Sequence, residues 1–183
     1  MLVGGCGPGF LAAEMADEVG ATGRVFGIDV SAYMIALARE RCANLAQVKV
    51  SEGDAVALPF DDESFDAVIS TQVYEYVHDV ATALREAARV LRPNGRLLVV
   101  ATDWESSLWS NSDEARMARV LEAWREHGAD SRLPRKLPKL LREAGLKLDP
   151  IAVIPIINIE YDPNNYSYSI GAICGFVKGC PIV

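Results

Sequence analysis

A chain of 183 residues, half of them hydrophobic and 23% charged, holds enough apolar material for one packed domain and is too apolar for a disordered chain. Its formal net charge of −7 argues against nucleic acid as a partner, because neutralising phosphates takes clustered Lys and Arg. No apolar run reaches the roughly 18–20 residues of a membrane span, and no basic leader with a cleavage site opens the chain, so the expected location is the cytoplasm. Cys6, Cys42, Cys174 and Cys180 show neither CxxC pairing nor histidines at ligand spacing, so neither a metal site nor a disulfide framework is expected.

The chain opens on MLVGGCGPGF: the end of a buried strand, a glycine-rich turn, then a helix, Leu11–Val19, stopped by Gly20. Gly5, Gly7 and Gly9 alternate at spacing two. Glycine allows φ > 0 and close approach of the backbone to a ligand, and the helix behind it offers free N–H groups. A turn that only joined strand to helix has no need of three glycines, so a ligand is expected there. Cys6, between them, reads as a small packing residue. A second strand, Arg24–Ile28, ends in Asp29, 20 residues after Gly9. That is the offset of an acid that holds ribose hydroxyls. Phe10 stands where the nicotinamide fingerprint GxGxxG wants a small residue. The expected ligand is therefore a smaller, zwitterionic nucleoside rather than a dinucleotide. Ser31 reads as the cap of a helix running to about Ala43. Met34 lies on its first turn, on the adenine side or in the core.

Val48–Ser51 is the third strand, followed by Glu52, Gly53, Asp54 and Ala55 and a turn-rich connection, Leu58–Asp62. Phe65–Ser70 is nearly all apolar and reads as a fourth strand buried on both faces. A loop, Thr71–Asp79, leads to a helix, Val80–Leu91. Arg92-Pro93-Asn94-Gly95 reads as a stop, and Arg96–Ala101 as a fifth strand. This alternation predicts parallel βαβ units with ligands at the carboxyl ends of the strands. Gly5–Gly9, Asp29, Asp54 and Thr71-Gln72 all fall at such ends. Beyond Asp103 the expected elements are a helix, Ser112–Glu126, capped by Ser112; a helix, Leu137–Ala144, ended by Gly145; an edge or bulged strand, Leu148–Tyr161, interrupted by Pro155; and a short helix, Tyr166–Val177. The basic stretch Arg132–Lys139 with Arg142 reads as a solvated helix face. One domain is expected, with a ligand-binding core over 1–103 and substrate-side helices and an edge strand over 104–183.

The set GGCGPGF (4–10), VFGIDVSAYMIALA (25–38), EGDAVALPFDDESFDAVIS (52–70), QVYEYVHD (72–79) and LREAARVLRPNGRLLVV (84–100) resembles the class I S-adenosylmethionine-dependent methyltransferases. It is closest to the small-molecule group that includes the ubiquinone and menaquinone biosynthesis enzymes. The resemblance implies an α/β, Rossmann-like doubly wound, mostly parallel sheet with helices on both faces. It implies S-adenosylmethionine as cofactor, with Gly5, Cys6, Gly7 and Gly9 under its methionine part. By the same resemblance Asp29 takes the ribose hydroxyls, Val30 and Met34 lie against the adenine, Asp54 accepts from the adenine amine beside Ala55, and Thr71 and Gln72 line the site next to the sulfonium.

Two departures stand out. Val3 occupies a position where the family usually has an acid, and the chain is expected to lack the family's N-terminal helix and final antiparallel strand. A small-molecule acceptor is implied, of unread identity. No catalytic residue is assigned. Tyr74, Glu75, Tyr76 and His78 are candidate bases, with an exposed loop histidine the competing account of His78. Trp104 and Trp109 are substrate contacts or packing residues, and His127 is given no role. The competing function is a truncated or degenerate domain that keeps the fold and acts through cofactor or partner binding, with exposed sheet edges favouring a homodimer. A nicotinamide-dependent oxidoreductase is disfavoured by Phe10 and Asp54.

Overall fold

The computed structural model describes residues 1–110, 112–156 and 175–178. Among the described residues five strands form one sheet: β1 (Leu2–Gly4), β2 (Val25–Asp29), β3 (Val48–Glu52), β4 (Phe65–Thr71) and β5 (Leu91–Val100). Their order is β3-β2-β1-β4-β5, and every pairing is parallel. The helices are α1 (Phe10–Val19), α2 (Ala32–Arg41), α3 (Val80–Val90), α4 (Glu114–Trp124) and α5 (Leu133–Glu143). The sheet is therefore doubly wound, and the chain reverses its direction of travel at β1. Such a reversal opens a crevice between the carboxyl ends of β1 and β4.

Two apolar layers sandwich the sheet. On one face Val3, Cys6 and Val25 meet Ala12 of α1 and Ile35 and Ala38 of α2. On the other, Leu2, Ile28, Phe65 and Val68 meet Ala87 and Val90 of α3. Phe26, Phe60 and Phe65 pack edge to face there, with centroids 4.8–5.8 Å apart. α5 lies outside α3, and Leu133 and Leu137 bury against Ala83, Leu84 and Tyr74.

Several boundaries differ from expectation. Residues 92–95 do not end an element. They bulge out between the pairs Phe65↔Leu91 and Ala67↔Arg96, with Asn94 at φ 66°. Arg92 anchors the bulge by bonding Asp66 and the Glu63 carbonyl. β4 is not buried on both faces: Val68 is buried but Ala67, Ile69 and Thr71 are only half-buried. Beside them on β5, Leu98 and Val100 are exposed, because α1 and α2 cover only the β1–β3 side of that face. The cap of α4 is Asp113 rather than Ser112, its carboxylate accepting from Arg116 N. α5 starts four residues earlier than expected, with a proline in its first turn. Residues 148–156 form no strand. Pro150 and Pro155 remove backbone donors, and Ile151, Val153 and Ile154 stay exposed. The rest of that expected strand lies outside the described residues. So does most of the expected last helix, of which 175–177 are helical.

Candidate functional site

The three glycines do three different jobs. Gly5, at φ 66°, passes so close to the loop after β4 that a Cβ on it would lie 2.2 Å from Val73 Cγ2. Gly9, at φ 85°, lets the start of α1 approach α2: a Cβ there would lie 3.0 Å from the Cα and Cβ of Ala38. Gly7, at φ 51°, has no neighbour within 4 Å of its would-be Cβ and faces open space. Phe10 does not crowd this packing. Its ring is 60% exposed and lies under the Arg41 guanidinium, 3.5 Å from the ring centroid, while Arg41 Nε donates to the Pro8 carbonyl.

Cys6 contributes structure rather than a free group. Its side chain is buried, its N–H donates to the Ile28 carbonyl and its carbonyl accepts from Gly9 N. Burial, then the nearby Asp29 carboxylate, push its thiol up to about 11. The side chain is an inert packing group.

Asp29 closes the loop. Oδ2 accepts from Gly7 N and Oδ1 from Ser31 N, each at 2.9 Å. Each oxygen keeps a lone pair, enough to accept the two hydroxyls of a ribose. Ser31 caps α2 by accepting from Met34 N at 3.3 Å, which fixes the first turn. Val30 is 71% exposed beside Asp29, and Met34 is half-buried. The Asp29 carbonyl takes Gly53 N at 3.1 Å and so draws the end of β3 alongside. Asp54 follows, exposed; its Oδ1 accepts from Val56 N at 3.1 Å, and among the described residues Oδ2 has no partner. Ala55 is half-buried against the Tyr74–Leu133 cluster. The connection after Asp54 is tied to α3. Leu58 N donates to Glu86, and Arg89 donates to Glu86, to Asp62 and to the carbonyls of Leu58 and Phe60.

Thr71 ends β4, half-buried. Gln72 follows at φ 56°, exposed, a conformation uncommon for a residue with a side chain. Its N–H donates to the Val100 carbonyl at 2.8 Å, and its Oε1 accepts from Thr102 Oγ1 at 2.9 Å. Gly5, Gly7, Asp29, Thr71 and Gln72 thus all stand at the carboxyl ends of β1, β2 and β4, with Asp54 just beyond β3.

The candidate bases separate. Tyr74 is 4% exposed, and burial pushes its hydroxyl up to about 12, so it is a core residue. Glu75 is fully buried; its Oε1 accepts from Thr102 N at 3.1 Å and its Oε2 has no partner. Burial raises it above the ordinary carboxylate range against the pull of backbone N–H groups. Tyr76 and His78 are exposed.

His127 is the residue the sequence reading missed. Its ring stacks on Trp124 at 3.6 Å between centroids and meets Trp104 and Tyr76 edge to face. Nδ1 contacts the Trp124 carbonyl, Nε2 is buried without a partner, and burial lowers its pKa below the usual 6.5. Only its place one turn beyond Trp124 hinted at this. The basic face is also not simply solvated. Arg135 bonds both oxygens of Asp103 at 2.8 and 3.1 Å, Arg132 pairs with Glu105, and Lys136 with Asp130. The Asp103 and Glu105 pairs fasten the start of α5 to the segment after β5, and the Asp130 pair holds α5 to the turn before it. No cluster of metal ligands occurs among the described residues, and none of their helices is long and apolar enough to cross a membrane.

A doubly wound parallel sheet with a glycine turn, an acid at the end of β2 and a second acid beyond β3 defines a nucleoside-binding α/β domain. Residues 2–99 match the methyltransferase domain family. The chain belongs to that family, the class I S-adenosylmethionine-dependent methyltransferases. It is similar, at 38% identity over 163 residues, to an uncharacterised 37.1 kDa protein of transposon TN4556 from Streptomyces fradiae, covering 86% of this chain and 46% of that one. It is 40% identical over 97 residues to a demethylmenaquinone methyltransferase of Staphylococcus aureus, covering 53% of this chain and 40% of that enzyme. Among solved structures it resembles the [4+2]-cyclase SpnF, with TM-score 0.62 and 30% identity over 78% of this chain and 50% of the cyclase. The chain thus spans less than half the length of these curated relatives.

Proposed function

We propose that this chain transfers the methyl group of S-adenosylmethionine to a small-molecule acceptor. One observation carries the reading. The strand ends converge on a crevice that offers open space over Gly7, spare lone pairs on Asp29 and an uncommitted carboxylate oxygen on Asp54. That donor set suits a neutral nucleoside: vicinal hydroxyls for Asp29 and an exocyclic amine for Asp54. In this reading Val30 and Met34 flank the base, with Ala55 beside its amine. Gly5, Gly7 and Gly9 underlie the amino-acid part, and Cys6 holds the loop from below. Thr71 and Gln72 border the reacting end. When bound, the sulfonium supplies an activated methyl group, lost in an in-line displacement that leaves a thioether. The residues of the chain then position the acceptor and exclude water; a base is needed only where the acceptor must lose a proton.

Calorimetric titration with S-adenosylmethionine and S-adenosylhomocysteine, with Asp29→Ala as control, tests this. Micromolar binding lost in the control is expected, and a folded chain that binds neither overturns it. A second reading, the fold kept for a reaction other than methyl transfer or for binding alone, is favoured by the resemblance to a protein named as a cyclase. Transfer of label from methyl-labelled cofactor separates the two. The reading also includes a cytoplasmic location, which suits the two buried free thiols Cys6 and Cys42, and no nucleic-acid partner, in keeping with the negative charge. It includes a homodimer, supported by the exposed apolar side chains of Leu98 and Val100.

A further inference from the structure

We infer that Glu75 is a positioning residue that acts through Thr102 to turn the Gln72 carboxamide, so that its NH2 group faces the crevice and selects acceptors carrying a hydrogen-bond-accepting oxygen. The inference rests on the methyl-transfer reading of that crevice. Gln72 is held at φ 56° at the mouth of the site. Such a conformation is costly for a residue with a side chain, and it persists only where the surroundings enforce it. Here two bonds enforce it. The backbone is pinned to Val100 on β5, and the side-chain oxygen accepts from the Thr102 hydroxyl at 2.9 Å. With Oε1 engaged inward, the two N–H donors of the amide are the groups left to the crevice.

Thr102 is itself held from behind. Its N–H donates to Glu75 Oε1 at 3.1 Å. Glu75 is fully buried, and its second oxygen meets no partner. A half-satisfied carboxyl group is a poor way to fill a core, since an apolar side chain of similar size would pack there without the desolvation penalty. Its value lies in the bond it makes to Thr102. The backbone of Glu75 is clamped as well: its carbonyl accepts from Ala129 N at 2.8 Å and from Asp130 N at 3.1 Å. Gly128 approaches so closely that a Cβ there would lie 2.9 Å from the same oxygen. Glu75 therefore joins the ends of β4 and β5 to the segment after α4, and Gln72 is the part of that assembly that faces outward. An outward-facing pair of N–H donors favours an acceptor whose oxygen is a carbonyl, an enolate or a phenolate, and disfavours one that offers N–H groups in the same place.

The test compares the parent chain with Glu75→Gln, Glu75→Leu, Thr102→Val and Gln72→Leu. The first readout needs no ligand: the side-chain amide resonance of Gln72 in 15N spectra. It is expected at a distinct, restrained position in the parent and in Glu75→Gln, whose amide oxygen still accepts from Thr102 N. It is expected to move to solvent-averaged values in Glu75→Leu and Thr102→Val. The second readout uses each chain saturated with S-adenosylhomocysteine and titrated with 4-nitrophenolate and 4-nitroaniline. The parent and Glu75→Gln should prefer the phenolate by about tenfold, the difference one hydrogen bond to a charged oxygen makes. The preference should fall to about one in the other three variants, with S-adenosylhomocysteine affinity within about twofold of the parent in Glu75→Leu and Thr102→Val. An unmoved Gln72 resonance in both Glu75→Leu and Thr102→Val overturns the inference. So does a preference for the aniline, which would mean that the amide presents its oxygen. Failure of the parent to bind S-adenosylhomocysteine overturns the methyl-transfer reading instead, and the ligand-free spectra still judge the Glu75–Thr102–Gln72 linkage.

Discussion

Replacing Gly7 and Gly9 one at a time by alanine separates the demands of the fold from those of the ligand. Both glycines have positive φ, 51° and 85°, so alanine at either carries the left-handed penalty of about 1–2 kcal/mol. At Gly7 nothing else is added, because no atom lies within 4 Å of the new methyl group. At Gly9 the methyl group meets the Cα and Cβ of Ala38 at 3.0 Å. Those atoms belong to a helix and cannot swing aside, so α1 and α2 must part by several tenths of an ångström. Overpacking of that kind adds about 1–3 kcal/mol. For a chain of this size each kilocalorie lowers the Tm by about 2–4 °C. Thermal unfolding should therefore place Gly7→Ala about 2–8 °C below the parent and Gly9→Ala clearly lower. Calorimetry should rank them the other way. Gly7→Ala fills the space assigned to the cofactor and should weaken S-adenosylhomocysteine by about tenfold or more, whereas Gly9→Ala, where it folds, should bind more nearly as the parent does. Parental affinity in Gly7→Ala would refute the placement of the cofactor over Gly7. Equal melting temperatures would refute the division of labour between the two glycines.

Asp29→Ala removes the acceptor of two backbone N–H groups at 2.9 Å and should lower stability by about 2 kcal/mol in urea titration, besides abolishing cofactor binding; an unchanged midpoint would count against its role in closing the loop. Arg89→Met releases the bonds that hold residues 58–62 to α3, and limited proteolysis should cut that connection faster than in the parent. Burial lowers the pKa of His127 below its unfolded value of 6.5, so the unfolded chain takes up the proton first: stability is flat above about pH 6.5 and falls as the pH drops from there towards the folded pKa. His127→Phe, which keeps a ring on Trp124, should flatten that acid limb in pH-dependent melts. Glu75 runs the other way. Burial raises its folded pKa above the unfolded value of 4.5, so stability is greatest below about pH 4.5 and is lost as the pH rises through the folded pKa. Glu75→Gln should therefore be more stable than the parent at about pH 7 and show no such gain at about pH 4.

Much of the sheet was legible because its signals are local. Ser31 caps α2 where a serine before a helical run should, and the glycine turn and Asp29 stand at the ends of β1 and β2. Local signals failed where two acceptable local choices competed or where a distant partner decided. Ser112 and Asp113 are adjacent and both can cap; the structure uses Asp113. The Arg-Pro-Asn-Gly stretch has the composition of a turn and does turn. β5 nevertheless begins before it, because Leu91 pairs with Phe65 across the bulge and Arg92 reaches Asp66. The run 148–156 has strand composition, but a strand needs a neighbour, and its prolines lack the N–H groups to recruit one.

The two sides of the crevice were unequally readable for a physical reason. The glycine turn, Asp29 and Asp54 each stand at or just beyond the end of a different strand, so the alternation of elements alone brings Gly7, Asp29 and Asp54 near one another. The other side is built by contacts that no pattern of spacing encodes. Glu75 reaches Thr102 across 27 residues and receives Ala129 and Asp130 from beyond α4. His127 acquires its surroundings from Trp104, Trp124 and Tyr76, three separate segments. In sequence Glu75 is one of several polar residues in a loop, and His127 ends a surface helix; only the fold makes the first a buried anchor and the second the centre of an aromatic cluster. A shared cofactor needs only the strand ends, which a short pattern can specify. Choice of acceptor depends on side chains from several elements meeting at one point, so within one fold it can change without disturbing the pattern by which the family is known.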